Sequence, residues 1–270
     1  GIPTAKTFSR TFALPTDKKS SLKDAVNLEV EQYIPMPLEA LYVDHQIIKQ
    51  TKDELTALMC AAPKQMIDPL LEIARSCGLE IAMIEPNMNA VARLLEHTEE
   101  GNLPTVIVDI GPATADIAIL DSAIRVTGGL NVGGNTLTLD IAKKMNIPLE
   151  TAHQLKVLNG LNAGPRQAKI TSSLRPSLIR ISNEVKKVIR YYTDRFPNEP
   201  KIEQILIVGS GSNVPGLGEF FTNELIMPAR IAVPWQTLNF GELAPPAKQL
   251  RPRFMTSAGL ALIDPEEIWS

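Results

Sequence analysis

Residue types that mark several protein classes are scarce in this chain of 270 residues, which has two cysteines, three histidines and 5% aromatic residues. Two cysteines are too few for a disulfide scaffold. Cys60 and Cys77 lie in apolar stretches that fit reduced core thiols, although their spacing is also compatible with one disulfide. No apolar run has the length that spans a bilayer, and the sequence from Gly1 onward has no signal-peptide pattern. We therefore expect a cytoplasmic protein.

Charge and histidine content exclude two further classes. The net charge is −3 and no block of lysine or arginine occurs, so the sequence gives no reason to expect nucleic-acid binding. His45, His97 and His153 share no metal-ligand spacing. The hydrophobic fraction of 44% and the charged fraction of 21% are typical of a globular protein, and the length allows one or two domains.

The most informative pattern is a predicted β-hairpin at residues 105–120. A β-branched run reaches Asp109, Gly111 and Pro112 form a turn, and a second apolar run begins at residue 115. Such a turn, which also carries the hydroxyl of Thr114, can offer backbone N–H groups to a phosphate while Asp109 faces a metal or a water. The alternative is an ordinary hairpin with an acidic strand end.

Two glycine-rich segments follow later in the chain. Residues 205–217 predict a buried strand, a turn in which Gly209 and Gly211 leave room for a flat ligand, and a helix from about Pro215. The helix predicted over 133–145 begins with a Gly-Gly-Asn-Thr turn, a composition that can accept an anion. In this order, the hairpin and the Gly-x-Gly turn resemble the second phosphate motif and the adenosine motif of the actin/Hsp70/sugar-kinase ATPase superfamily.

The first part of the chain predicts a compact split βαβ unit with the order β-α-β-β-α-β. Its elements are strands at 4–14, 41–49, 56–62 and 79–85 and helices at 18–33 and 64–77. Beyond it we predict helices at 87–97, 133–145, 149–158, 171–195, 215–223 and 254–262, and strands at 105–110, 115–120, 124–130, 205–208 and 229–233.

A family resemblance rests on several short segments. The segments 29–39, 43–46, 61–64, 77–80 and 84–86, above all Tyr33-Ile-Pro-Met-Pro, resemble the inserted subdomain of the PilM family of actin-like type IV pilus assembly proteins. Residues 133–138 and the later run containing Ala152 and Lys156 are similar to both PilM and its relative FtsA.

The resemblance implies an α/β, actin-like (ribonuclease H-like), two-lobed fold. Residues 1–85 would be the inserted split-βαβ subdomain, 86–100 and 254–270 the remainder of the first lobe, and 101–253 the second lobe with the nucleotide motifs. Family members carry a first phosphate loop on an N-terminal hairpin, which we expect to be missing from this chain.

The resemblance also implies ATP and Mg²⁺ as ligands of the complete protein. Asp109 would orient a water or Mg²⁺ and is the candidate catalytic residue. Pro112-Ala113 stands where the family has Gly-Gly, so we expect weakened phosphate binding, at most weak ATPase activity, and weak or absent ATP binding by this chain. The other candidate ligand residues are Gly111 and Thr114 for phosphate, Gly133, Gly134 and Asn135 near the cleft, Gly209, Gly211 and Asn213 for adenosine, and Glu184 and Lys187 for ribose and base. For Glu184 and Lys187 the alternative is a solvated helix face.

The implied partner is the cytoplasmic N-terminal peptide of a PilN-like inner-membrane pilus protein, held between the inserted subdomain and the adjoining core, alongside other platform components. The protein would then be peripheral to the inner membrane through its partners. The proline-stiffened bend at Tyr33–Leu38 would form a wall of the peptide site or only pack the subdomain. A second function class is an FtsA-like, filament-forming ATPase of cell division. The Tyr33-Ile-Pro-Met-Pro segment and the lack of a C-terminal amphipathic helix favour the first class.

Overall fold

The computed structural model describes residues 1–16, 22–101, 103–162, 164 and 167–264. These residues form two compact units, residues 1–87 with 263 and 264, and residues 88–262. Within the described ranges, no helix combines the length and the apolar character needed to cross a bilayer.

The first unit is built on an antiparallel sheet, three-stranded in the described residues, with the order β1-β3-β2. Alternate residues of the central strand, from Leu55 to Ala61, face the first helix and pack against its Val26 and Val30. This period of two on the strand and about four on the helix is the pattern that the sequence predicts. The elements are β1 (Phe8–Pro15), α1 (Leu22–Tyr33), β2 (Leu41–Gln50), β3 (Glu54–Pro63) and α2 (Lys64–Ser76).

The strand predicted at residues 79–85 is absent, so this prediction is wrong. In the described chain, the pairing nearest to this segment is a single parallel bridge between Ile2 and Pro86. A strand needs a neighbouring strand to satisfy its backbone groups, and the described residues supply none beside 79–85. The observed order of elements in this unit is therefore β-α-β-β-α.

The two cysteines are both free thiols. Cys60 is half-buried in β3, whereas Cys77 is exposed, which contradicts its predicted core position. Cys77 follows α2 directly, and residues 75–82 are exposed throughout. The sequence around Cys77 is apolar, but its residues are not buried.

The second unit contains a mixed sheet with the order β6-β5-β4-β7-β8, five-stranded in the described residues. The central strand β4 is antiparallel to β5 and parallel to β7. The strands are β4 (Thr105–Ile110), β5 (Ala115–Leu120), β6 (Ile124–Leu130), β7 (Gln204–Val208) and β8 (Ala229–Ile231). The helices are α3 (Asn87–Thr98), α4 (Gly134–Met145), α5 (Leu149–Leu158), α6 (Gln167–Arg195), α7 (Leu217–Leu225) and α8 (Met255–Ala261).

The two faces of this sheet are covered by different helices. Val106, Val108 and Ile110 of β4 pack against α4, α6 and α7. Ile107, on the opposite face, packs with residues of α3 and α8. Because side chains alternate along a strand, Asp109 lies on the same face as Ile107. The helices that cover the face of Asp109 thus come from the ranges 86–100 and 254–270, whose assignment to the first lobe stays a prediction.

Apart from the absent strand at 79–85, the predicted helices and strands occur and differ from the structure at their ends. Strand β1 begins at Phe8 rather than at residue 4, because Thr4–Lys6 form a 3-10 turn. Helix α6 begins at Gln167 rather than at residue 171, and β8 ends at Ile231 rather than at 233. The predicted start of the first helix at residues 18–21 lies outside the described residues.

Candidate functional site

The candidate site is built around the end of β4. The parallel register with β7 places Asp109 beside Val208, so that Gly209 follows at the edge where β4 ends. The antiparallel register with β5 places Asp109 directly opposite Asp116. Two carboxylates and a glycine turn therefore meet at one end of the sheet.

Glycines provide the space that these carboxylates occupy. A Cβ atom at Gly209 would overlap Asp109 Oδ1, and Gly209 has a φ of +84°, a conformation that L side chains rarely adopt. A Cβ atom at Gly129 in β6 would lie 2.9 Å from Asp116 Oδ1. Each carboxyl group thus lies against the glycine of a neighbouring strand or turn.

The turn after β4 leaves donor groups available. The Gly111 amide donates to the carbonyl of Thr114 over 2.9 Å and closes the turn. In the described chain, the amides of Ala113 and Thr114 make no hydrogen bond to another backbone group. A ligand with anionic oxygens can therefore use these two amides.

The N-terminus of α4 holds the same turn. The Gly134 amide donates to the carbonyl of Gly111 (2.9 Å), and the Asn135 amide donates to the carbonyl of Pro112 (2.8 Å). A Cβ atom at Gly133 would lie 2.7 Å from Gly111 O and from Pro112 C, so glycine is needed for this approach. The sequence predicts that this helix start accepts an anion, but the amides of residues 134 and 135 already have partners.

The glycine turn after β7 is the last part of the candidate site. Gly211 lies against Ile110, and an added Cβ at Gly134 would be 3.7 Å from Gly211 Cα. The next residue, Ser212, is buried, and its Oγ has no hydrogen-bond partner among the described residues. Asn213 donates from Nδ2 to the carbonyl of Gln249 over 3.4 Å. The structure therefore brings together Asp109, Gly111, Thr114, Gly133, Gly134, Asn135, Gly209, Gly211 and Asn213.

Lys156 belongs to this region and is not among the predicted site residues. Its side chain is buried, and Nζ donates to Gly134 O (2.7 Å) and to Thr138 Oγ1 (2.8 Å). Desolvation lowers the pKa of Lys156 to about 8. Lys156 lies one turn after the buried Ala152, and this spacing places it on the inner face of α5. That spacing is the sequence signal that could have identified it.

The two carboxyl groups at the end of β4 and the start of β5 both have raised pKa values. Desolvation and the nearby charge of Asp116 raise the pKa of Asp109 to about 6. Desolvation also raises the pKa of Asp116, and its Oδ1 has no hydrogen-bond partner in the described residues. Groups of this kind are candidates for binding a cation or a proton.

A metal at this point would not be held by protein ligands alone. The described residues contain no group of three or more His, Cys, Asp or Glu side chains that could hold a metal ion. Mg²⁺ is usually bound by one or two carboxylates, water and substrate phosphates, so Asp109 and Asp116 fit this ion with a phosphate ligand present.

Glu184 and Lys187 are not brought to the turn. Helix α6 packs on the sheet face that carries Val106 and Val108, whereas Asp109 lies on the other face. Glu184 Oε1 would be 3.3 Å from a Cβ at Gly128 in β6, and Lys187 Nζ pairs with it at 3.1 Å. Lys187 is 75% exposed. Lys187 therefore has the geometry of a solvated helix face, whereas the Glu184 side chain is 19% exposed and lies against β6.

The raised pKa of Asp109 predicts how stability depends on pH. Between pH 4 and pH 6 the folded protein binds more protons at Asp109 than the unfolded chain, so the free energy of unfolding should fall as the pH rises through this window. The shift from 3.8 to about 6 corresponds to about 3 kcal/mol. Asp109→Asn, which has no charge to desolvate, should therefore be more stable than the wild type at pH 7 by up to about 3 kcal/mol. Urea unfolding at several pH values measures this difference.

Asp116→Asn provides the matched comparison. It removes one of the two causes of the Asp109 shift, so a ¹³C NMR titration of the Asp109 carboxyl should give a lower pKa in this variant. A wild-type stability that is constant from pH 4 to pH 6, or an Asp109→Asn variant that is less stable at pH 7, would contradict the assigned environment.

Solved structures of other proteins share this fold. The PilM-PilN type IV pilus biogenesis complex superposes with a TM-score of 0.75 and 22% identity, covering 95% of this chain and 76% of that chain. MreB5 of Spiroplasma citri bound to ADP superposes with a TM-score of 0.57 and 19% identity, covering 77% and 67% of the two chains. Identities this low show the fold alone, which is that of the actin-like proteins.

Two of the curated relatives are cell division proteins. FtsA of Neisseria meningitidis is 28% identical over 207 residues, which are 68% of this chain and 48% of that protein. FtsA of Borreliella burgdorferi is 24% identical over 190 residues, which are 63% and 45% of the two chains. The chain thus spans about half the length of these curated relatives.

A family model covers nearly all of the sequence. The model for type IV pilus assembly protein PilM matches residues 1–264. This match includes both units and every residue of the candidate site. The chain belongs to the PilM family of type IV pilus assembly proteins.

Proposed function

We propose that this protein is a cytoplasmic component of the type IV pilus inner-membrane assembly platform, where it binds a nucleotide and the cytoplasmic N-terminal peptide of a PilN-like membrane protein. The family match over residues 1–264 carries this proposal. The fold shared with the PilM-PilN complex supports it, since that neighbour was solved together with its pilus partner. Location at the cytoplasmic face of the inner membrane follows from this role.

ATP is the proposed nucleotide, and its phosphates lie at the turn after β4. The free amides of Ala113 and Thr114 support this placement, as do the close backbone approaches at Gly134 and Gly211. Lys156 is a buried cation whose Nζ donates to Gly134 O at the start of α4, and its charge would attract the negatively charged phosphate oxygens. MreB5, which has the same fold, was solved with ADP and with AMPPNP. The base and ribose are assigned to the Gly209–Asn213 turn.

Mg²⁺ is the proposed metal, and Asp109 and Asp116 are its protein ligands, directly or through water. Two desolvated carboxylates with raised pKa values support the binding of a divalent cation. When bound, Mg²⁺ would neutralise phosphate charge and allow Asp109 to orient a water for slow hydrolysis. Pro112 supplies no amide to the turn, which supports weak phosphate contacts and at most weak ATPase activity.

The partner peptide is assigned to the first unit. Its sheet has two outer strands, β1 and β2, which pair with no further strand among the described residues, and an outer strand can accept an extended peptide. Near β1, the guanidinium of Arg10 stacks on the ring of Tyr33 and pairs with Glu29 at 3.0 Å. Tyr33 is 51% exposed, so this cluster offers an aromatic ring that carries a cation on one of its faces.

The bend at residues 33–38 has two parts with different roles. Ile34 is buried, and Met36 and Leu38 pack against the core of the first unit, which favours a packing role for them. Tyr33 points away from this core and is the part of the bend available to a peptide. Within the bend, we therefore assign peptide contact only to Tyr33, together with Arg10, which stacks on its ring.

A filament-forming ATPase of the FtsA type is the second candidate. The 28% identity to FtsA of Neisseria meningitidis over 68% of this chain favours it. Sedimentation with ATP and Mg²⁺ separates the two candidates. A nucleotide-dependent pellet would favour filament formation, whereas a soluble protein that binds the PilN-like peptide would favour the pilus role.

A nucleotide titration followed by ¹H–¹⁵N NMR tests the nucleotide assignment. Glycine amides serve as local probes, and we expect Mg-ATP to shift the signals of Gly111, Gly134, Gly209 and Gly211. The signal of Gly128, which lies beside Glu184 under α6, should not move. Shifts at Gly128 with none at Gly111 and Gly209 would reject the site.

Variants in the same titration assign individual roles. Asp109→Asn should remove the Mg²⁺ dependence of the shifts, because the metal loses a charged ligand. Lys187→Ala should change nothing, because the exposed lysine pairs only with Glu184 in the described structure. An unchanged Mg²⁺ dependence in Asp109→Asn would remove Asp109 from the metal site.

Peptide binding tests the partner assignment. Fluorescence anisotropy with the cytoplasmic N-terminal peptide of the PilN-like protein of the same organism should give a micromolar dissociation constant, equivalent to about −8 kcal/mol. Tyr33→Ala should weaken this affinity about tenfold or more, because aromatic anchors carry much of the energy in such sites.

Leu28→Ala in the same helix is the matched control. Leu28 is 55% exposed and is five positions from Tyr33, which places it on another side of α1. Its replacement should leave peptide binding unchanged, and both variants should unfold at the wild-type temperature. Equal losses in the two variants, or a loss only where the protein unfolds, would contradict the assignment.

A further inference from the structure

Helix α6 is far more basic than the rest of the chain. It carries seven lysine or arginine residues and two acidic residues, a net charge of +5, whereas the whole chain has a net charge of −3. Arg195 ends the helix, and the other six cations lie between residues 169 and 190. A single helix therefore holds a large excess of positive charge in an otherwise acidic protein.

Three of these cations have acidic partners. Arg175 and Lys186 pair with Glu224 of α7 at 3.5 and 3.4 Å. Lys187 pairs with Glu184 at 3.1 Å, on the side of α6 that faces β6. At 3.6 residues per turn, Glu184 lies on the flank of the helix opposite to Arg175 and Lys186. Ion pairing therefore neutralises charge on both flanks of α6.

Three other cations lie between these flanks, on the solvent side of α6. Lys169, Arg180 and Arg190 are exposed, and the described residues supply no ion pair for them. At 3.6 residues per turn, Lys187 lies on the same side, and the four positions differ by no more than about 80° around the axis. We call these four residues the basic stripe. It extends for about 30 Å at 1.5 Å per residue, and one acidic residue, Asp194, follows it a turn later.

An exposed aromatic ring belongs to the same side of the helix. Tyr191 follows Arg190 directly and is 49% exposed. It is four positions after Lys187, so its side chain lies one turn further along the stripe. The opposite side of α6 is fixed in the core of the second unit by residues such as Leu178 and Val185. A tyrosine beside cations is typical of protein surfaces at the level of lipid headgroups.

We infer that the basic stripe of α6, together with Tyr191, is a surface that binds the anionic headgroups of a phospholipid bilayer. Cations spread over about 30 Å along a helix axis fit a flat, extended anionic surface. A small anion would instead need donors that converge on one point. The proposed place of the protein at the inner-membrane platform favours a membrane over another polyanion, so this inference rests on the proposed function.

The expected contact is weak alone and depends on salt. A lysine or arginine near an anionic bilayer contributes about fivefold to binding, and the attraction falls off within a Debye length, about 8 Å at physiological ionic strength. The negative charge of the rest of the chain opposes it. The stripe would therefore act together with a membrane-anchored partner, since two weak contacts with one membrane strengthen each other.

Co-sedimentation of the full chain with vesicles, in the absence of any PilN-like protein, tests this surface. Vesicles with about one third phosphatidylglycerol should bind the protein at low salt, and vesicles of phosphatidylcholine alone should not. Salt at about 0.5 M should abolish the binding. The triple variant Lys169→Gln, Arg180→Gln, Arg190→Gln should bind at least about tenfold more weakly. Glutamine favours a helix nearly as well as lysine, so its unfolding temperature should stay that of the wild type.

A second triple variant is the matched control. Lys6→Gln, Lys52→Gln, Lys201→Gln removes the same charge from exposed lysines outside α6, and its binding should stay within about twofold of the wild type. Equal losses in the two triple variants would show that only net charge matters and would overturn the assignment. Equal binding of both kinds of vesicle would also overturn it.

The nature of the polyanion is decided by a competing ligand. Binding of duplex DNA through the stripe, under conditions in which anionic vesicles do not bind, would assign the surface to nucleic acid and overturn the membrane assignment. Because the vesicle assay contains no peptide, a failure of the PilN-like peptide to bind would reject the proposed partner and leave a positive vesicle result standing.

Discussion

The contact between the start of α4 and the turn after β4 determines the geometry of the candidate site. Gly134 and Asn135 donate their amides to the carbonyls of Gly111 and Pro112, so two main chains are joined directly. Only a residue without a side chain fits at Gly133, because a Cβ atom there would lie 2.7 Å from the backbone of the turn. This contact fixes the turn, and the turn fixes the amides of Ala113 and Thr114.

A charged side chain is desolvated on each side of this contact. Asp109 has a pKa raised to about 6, and Lys156 has a pKa lowered to about 8. Each charged form is therefore less stable here than in water, which a fold selected for stability alone would avoid. Functional sites commonly carry such groups, because a ligand of the right charge then gains more from binding them. The arrangement fits a metal-bound polyphosphate, whose cation would face Asp109 and whose anionic oxygens would face the amides and Lys156.

Local patterns predicted most of the fold, whereas features that depend on distant segments were missed. The β4–β5 hairpin and the glycine turn after β7 were predicted correctly because each is defined by residues close together in sequence. The strand at 79–85 was predicted wrongly because a strand forms only beside a partner. The periodicity of α6 predicts a helix but does not say which sheet face it covers, so the assignment of Glu184 and Lys187 to ribose and base stays a prediction. Lys156 was overlooked because its burial depends on the packing of α5 against α4.

The most direct test of the α4 contact compares alanine at two adjacent positions. Gly133→Ala should lower the free energy of unfolding by about 1–3 kcal/mol, because an added methyl group must push the turn away. Gly134→Ala should change it by no more than about 0.5 kcal/mol, because its nearest neighbours are 3.6 Å away and alanine favours a helix. Only Gly133→Ala should also weaken the shift of the Gly111 amide signal on adding Mg-ATP. Equal stabilities and equal nucleotide responses in the two variants would contradict the dependence of the site on this contact.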